Sequence, residues 1–170
     1  MKHTRVAAGA AAATLVVGGL TASTAFASTG ATPATTTPSC PTFAVSLGMQ
    51  QGTAGSMVQA IRFRNTSGHR CTVSGYPGVS YANRHRIMLG WPAAPGGQRV
   101  STVTLAAGAS TTAFLQSPDP GNFAPMDCLV YRPALLRVHL GSTVSYLSWG
   151  RSECTTHFGR SFVSPVGWLS

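Results

Sequence analysis

Residues 136–149, Leu136-Arg137-Val138-His139-Leu140-Gly141-Ser142-Thr143-Val144-Ser145-Tyr146-Leu147-Ser148-Trp149, decide the fold. Leu136, Val138 and Leu140 alternate with Arg137 and His139, a period of two that turns apolar side chains to one face of a strand and polar ones to the other. Gly141-Ser142 suits a type II′ turn, whose first central residue needs a positive φ, and residues 143–149 are expected to return as the partner strand. A helix would show apolar residues every third or fourth position over three turns, and no other stretch beyond the N-terminal leader offers that.

The same reading extends upstream. Ile61 and Phe63, with Met57, alternate with Val58, Ala60, Arg62 and Arg64, and Asn65-Thr66-Ser67-Gly68 closes that strand with turn-forming residues. Cys71-Thr72-Val73-Ser74 is a short β-prone run stopped by Gly75-Tyr76-Pro77-Gly78. Residues 100–105 form another, and Ala106-Ala107-Gly108-Ala109 turns the chain into Thr111, Ala113 and Leu115, the inward set of the next strand. Residues 80–98 and 116–127 are too polar or too proline-rich for this pattern and are expected as long loops or irregular edges. About seven short strands separated by turns predict an all-β antiparallel sandwich, immunoglobulin-like, with a closed barrel as the alternative. There is no internal repeat.

The first 27 residues have the layout of a secretory signal peptide: Lys2, His3 and Arg5, an uncharged apolar run over 6–20, and Ala25-Phe26-Ala27 as a small-x-small cleavage site. The apolar run is short for a membrane anchor, which needs about 20 residues. No cysteine follows it closely enough for a lipoprotein, and no arginine pair marks the twin-arginine route. The mature chain is therefore expected to start at Ser28, secreted and extracellular or wall-associated. Residues 28–39, STGATPATTTPS, hold no large apolar side chain and read as a disordered Thr/Pro-rich linker, of a composition that also suits O-linked sugars. Residues 40–170 are expected to form one domain, a size that buries a real core.

Export makes paired cysteines the expectation for Cys40, Cys71, Cys128 and Cys154, whose spacings are far wider than a Cys-x-x-Cys metal or redox motif. Four cysteines allow three pairings. Sequential pairing, Cys40 with Cys71 and Cys128 with Cys154, joins neighbouring strand regions without threading chain across the sandwich, and is the one expected.

Beyond Ala27 the cations are ten arginines (62, 64, 70, 84, 86, 99, 132, 137, 151 and 160), against Asp119, Asp127 and Glu153, a formal charge of +7. Such an excess keeps an exported protein soluble, and it also suits an anionic partner. The arginines alternate with strand residues and do not line one helix or interleave with stacking aromatics, which argues against nucleic acid.

Asn65-Thr66-Ser67, then Cys71-Thr72-Val73-Ser74-Gly75-Tyr76-Pro77-Gly78-Val79, then Leu105-Ala106-Ala107-Gly108 and two further cysteines resemble an exported actinobacterial family catalogued as domain of unknown function 4232. The resemblance runs from about Cys40 to the C-terminus. Ala107 stands where the family is expected to carry proline. The resemblance implies secretion and a β-sandwich, and it transfers no catalytic residue.

Enzymatic chemistry finds little support. Glycoside hydrolysis uses two carboxyl groups about 5 to 9.5 Å apart. Asp127 and Glu153 each adjoin a cysteine, and both are expected to solvate disulfide-bearing loops. No Gly-x-Ser-x-Gly elbow ties His69, His85, His139 or His157 to a serine. Nor do these histidines, with Met49, Met57, Met88 and Met126, show metal-ligand spacing. No catalytic residue, metal or cofactor is expected. The best candidate recognition surface is Arg84, His85, Arg86, Trp91 and Arg99, with Asn83, Arg70 and Tyr81 alongside, because arginine forks match phosphate and carboxylate geometry and an aromatic ring stacks on a sugar. The leading reading is a secreted non-enzymatic module, binding or structural. An Arg-rich binder of anionic wall polymer and a small secreted hydrolase are the alternatives, with wall polymer or another secreted protein as candidate partners.

Overall fold

The computed structural model describes residues 36–168. The expected signal peptide and most of the expected linker lie outside them. Thirteen strands follow in chain order: β1 (Phe43–Thr53), β2 (Ser56–Asn65), β3 (Cys71–Val73), β4 (Gly78–Ala82), β5 (Met88–Leu89), β6 (Ala94–Pro95), β7 (Val103–Leu105), β8 (Ser110–Pro118), β9 (Val130–Tyr131), β10 (Leu135–Leu140), β11 (Thr143–Ser148), β12 (Glu153–Cys154) and β13 (Phe162–Val163). One 3-10 turn, Pro120–Asn122, interrupts them. Among the described residues no helix is long and apolar enough to cross a membrane.

Two sheets carry the architecture. One has the order β1-β2-β8-β13-β6 and the other β11-β10-β4-β5, with two-stranded pairs β12-β9 and β3-β7 at their margins. Pairing is antiparallel except between β13 and β6. The period of two does what it predicts: Ile61, Phe63, Ala113, Leu115 and Val163 of the first sheet share one buried cluster with Val79, Leu136, Val138 and Leu140 of the second. Phe43 meets Phe63 edge-on at 6.0 Å, and Tyr81 lies 5.9 Å from Trp149. Residues 140–143 form the expected hairpin, Leu140 opposite Thr143, with Gly141 at φ 58°.

Both disulfides are those expected, Cys40–Cys71 and Cys128–Cys154. They sit at opposite ends of the strands. The first end gathers the Asn65 terminus of β2, the β10–β11 turn and the chain's entry; Pro38 and Ser39 pair alongside Thr72, with Cys40 N donating to Thr72 O and Thr72 N to Pro38 O, both at 2.8 Å. At the second end lie the β4–β5 turn, the β8–β9 connection and the segment around β12.

Several segments depart from the sequence reading. Residues 80–82 are not loop but part of β4, an interior strand on which Ser80, Tyr81 and Ala82 are all buried. A strand covered on both faces loses the alternation that marks a half-exposed one. β8 likewise continues through Gln116 to Pro118. β1 is the longest strand, and its pattern is broken by a bulge: Leu47 pairs with Ile61, yet Gln50 pairs with Gln59. The buried Gln59 amide stabilises the bulge by donating to Gly48 O at 2.9 Å and to Ala60 O at 3.0 Å.

Candidate functional site

The sequence candidates Arg84, His85 and Arg86 do come together, on the turn between β4 and β5. Asn83 builds that turn. Its side-chain oxygen accepts from the backbone N–H of His85 at 2.9 Å and of Ile87 at 3.0 Å, and its carbonyl accepts from Arg86 N at 2.9 Å. Arg84 and His85 project into solvent. Arg86, at φ 62°, instead lays its guanidinium 4.7 Å from the centre of the Tyr146 ring. Trp91 follows on the adjoining loop, 55% exposed, and packs edge-on to His157 at 5.4 Å.

Arg99 does not join them. Gln98 beside it accepts a hydrogen bond from Tyr76, which precedes β4, so Arg99 is carried toward the first end of the molecule. Tyr81, grouped with this surface in the sequence, is buried in the core. The partners the sequence left out are Tyr146, His157, Phe158 and Arg160. His157 lies 6.2 Å from the Phe158 ring and 3.4 Å from an Arg160 nitrogen. His157 meets Trp91 across a separation of 66 residues, a contact that no local spacing reveals.

Glu153 overturns the expectation that acids beside cysteines solvate loops. It is 1% exposed. Its Oε1 accepts from the Trp149 indole N–H at 3.1 Å, and Tyr81 donates to or accepts from Ser117 and Ser161, each at 2.7 Å, in the same buried region. Burial pushes the Glu153 carboxyl above its ordinary range, against the pull of the Arg151 charge and of the Tyr81, Trp149 and Ser117 donors. Burial, reinforced by the neighbouring Glu153, also raises the Tyr81 hydroxyl. Asp127 sits apart in a turn, its carbonyl accepting from Thr156, and Asp119 caps the 3-10 turn. Among the described residues no three His, Cys, Asp or Glu side chains converge to hold a metal.

A carboxyl whose folded pKa exceeds its unfolded value gives its full stability below the unfolded value, and that stability fades as pH rises through the folded one. Stability should therefore decline above about pH 4.5 on account of this group. Glu153→Gln keeps an oxygen for Trp149 and removes the titration. Its denaturation midpoint should exceed the wild type's at pH 8 and converge with it near pH 4.5; parallel curves would count against the assignment.

The family motif acquires physical roles here. Asn65 is buried, donating through Nδ2 to His69 O at 2.8 Å and Ala106 O at 3.0 Å, and accepting through Oδ1 from Ser67 N at 2.9 Å. Cys71 is stapled, Gly75 has φ 95°, and Tyr76 binds Gln98 O. Gly78 lies so close under the His139 ring that a Cβ there would fall 1.9 Å from it. Ala107 occupies the corner before Gly108, at φ 75°, in a turn closed by Ala109 N to Ala106 O at 3.1 Å. That corner is where proline fits a type II turn, so alanine keeps the geometry without the rigidity.

The geometry is that of an all-β domain stapled once at each end, with an exposed aromatic and cationic surface at the second end. Residues 40–166 match the family model described as Domain of unknown function (DUF4232), and the chain belongs to that family. No curated protein and no solved structure matches it.

Proposed function

We propose that this protein is an exported, non-enzymatic binding module acting outside the cell. The supporting observation is the second end of the domain, where Trp91, His157, Phe158 and the arginine-bearing turn stand exposed on a scaffold fixed by Cys128–Cys154. Binding residues carried on loops held by a rigid frame are the common arrangement in β-sandwiches. The carboxyl groups favour binding over hydrolysis as well, since Glu153 is spent on the core and Asp119 on a cap. An anionic wall polymer remains the second reading, favoured by the absence of any acid before Asp119.

Two measurements test the proposal. N-terminal sequencing of the protein recovered from culture medium should read Ser28 first, and an uncleaved, cell-retained chain would contradict export. Immobilised mature domain should then retain a component of the wall or secreted fractions, with retention falling at least tenfold when Trp91 and Phe158 are both alanine. Retention of nothing by the wild type would overturn the binding role.

A further inference from the structure

Large apolar side chains are unusually exposed at the second end: Met126 at 88%, Phe158 at 77%, Leu129 at 58% and Trp91 at 55%, with Val130 and Tyr131 beside Leu129 on the chain. Monomeric surfaces seldom concentrate such residues without a partner. The three segments that bear them are bound into one platform. Cys128–Cys154 links two of them, Thr155 N and Oγ1 both donate to Leu129 O at 3.0 Å, and Thr156 donates to Asp127 O. The third joins through the Trp91–His157 contact and through Gly90, where a Cβ would come within 2.5 Å of Thr155. A platform already ordered loses little freedom on binding.

Its margin is cationic. Arg84 and Arg132 are exposed on these segments or next to them, Arg151 and Arg160 are half-buried there, and the two acids are Asp127 and the buried Glu153. An apolar centre holding Trp, Tyr, Phe and Met within a rim of arginine is the composition of protein–protein interfaces.

We propose that the platform around β9 and β12 docks a protein partner whose matching face is acidic at its rim; this rests on the binding role proposed above. Charge complementarity selects that occupant. A second copy of this chain would bring arginine rims together. A sugar chain stacks on the open faces of aromatic rings, whereas the Trp91–His157 and His157–Phe158 pairs are both set at 85°, and Met126, Leu129 and Val130 offer a sugar no hydrogen bond. A lipid surface would leave the outer edge of β9 without partners, since among the described residues β9 pairs with β12 alone, while another polypeptide can satisfy that edge.

The test places photo-reactive benzoylphenylalanine at Phe158, and at the exposed Met49 of β1 as a control, in the full chain secreted by its own cells. The expected result is a protein adduct at position 158 and none at 49, with cross-linked peptides rich in Asp and Glu. The partner, remade in pure form, should bind the mature domain with affinity that falls at least tenfold in Phe158→Ala and in Arg84→Ala, whose side chains are exposed, and that weakens as salt rises from about 0.05 to 0.5 M. Four outcomes overturn the docking proposal: adducts only to wall polymer, only to a second copy, only to lipid, or to nothing. The first and third leave the broader binding role standing, so the two readings fail separately.

Discussion

Reduction of both disulfides is expected to remove about 7 kcal/mol of stability, the largest single effect available in this domain. Each bridge closes a loop set by sequence separations of 31 and 26 residues, and the chain-entropy model gives about 3.5 kcal/mol for each at 25 °C. A typical domain has only about 5 to 15 kcal/mol in total. Reduced protein should therefore melt far below the oxidised form or be unfolded at 37 °C. Calorimetry with and without a thiol reductant measures the difference, and Cys40→Ser/Cys71→Ser against Cys128→Ser/Cys154→Ser apportions it. The first pair should loosen the chain's entry and the β3–β7 margin. The second should abolish partner binding while the core strands still resist hydrogen exchange. Equal melting temperatures in both redox states would refute the stapling argument.

Asn65→Ala should cost about 3 kcal/mol. The side chain donates to two loop carbonyls at ordinary distance and accepts from both the backbone N–H and the hydroxyl of Ser67, at 2.9 and 2.7 Å, all within a region it shares with the first disulfide. Deleting it leaves those groups unpaired around a site that is 1% exposed, and each buried unsatisfied group costs about 1–3 kcal/mol. Asn65→Asp is the informative companion. It preserves the Oδ1 acceptor but replaces the amide donor with a carboxylate facing the His69 and Ala106 carbonyls, so it should be at least as damaging as alanine. Urea denaturation reads both, and a loss under about 1 kcal/mol for alanine would show that the two turns hold without this clamp.

The half-exposed strands were legible in the sequence, because Leu136, Val138 and Leu140 or Thr111, Ala113 and Leu115 each present a buried face and a wet one. The cysteine pairing was legible too, since joining cysteines in sequential order avoids threading the chain across the sheets. What escaped was whatever depends on contacts between distant segments. β4 is covered on both faces and shows no period, and β1 is broken by a bulge whose supporting residue, Gln59, sits eleven positions from the carbonyl it binds. The candidate surface split for the same reason: Arg84 and Trp91 share one end of the molecule, yet Arg99, eight residues after Trp91, is led away by a hydrogen bond from Tyr76. Glu153 is the sharpest case. Its neighbour Cys154 suggested a surface loop, while Trp149 and Tyr81 hold it in the interior.

The entry of the chain beside Thr72, fixed by Cys40–Cys71, lies at the opposite end of the strands from the apolar platform. A pull applied between the chain's entry at Pro38–Cys40 and the platform would thus run along β2, β8 and β10 rather than across them. Hydrogen bonds between such strands are loaded together, in shear, and must give way as a group, whereas a pull from one end would peel them apart one by one. Forced unfolding is governed by the unfolding rate, so a pull applied between these two ends is expected to meet cooperative resistance, which single-molecule pulling reads directly.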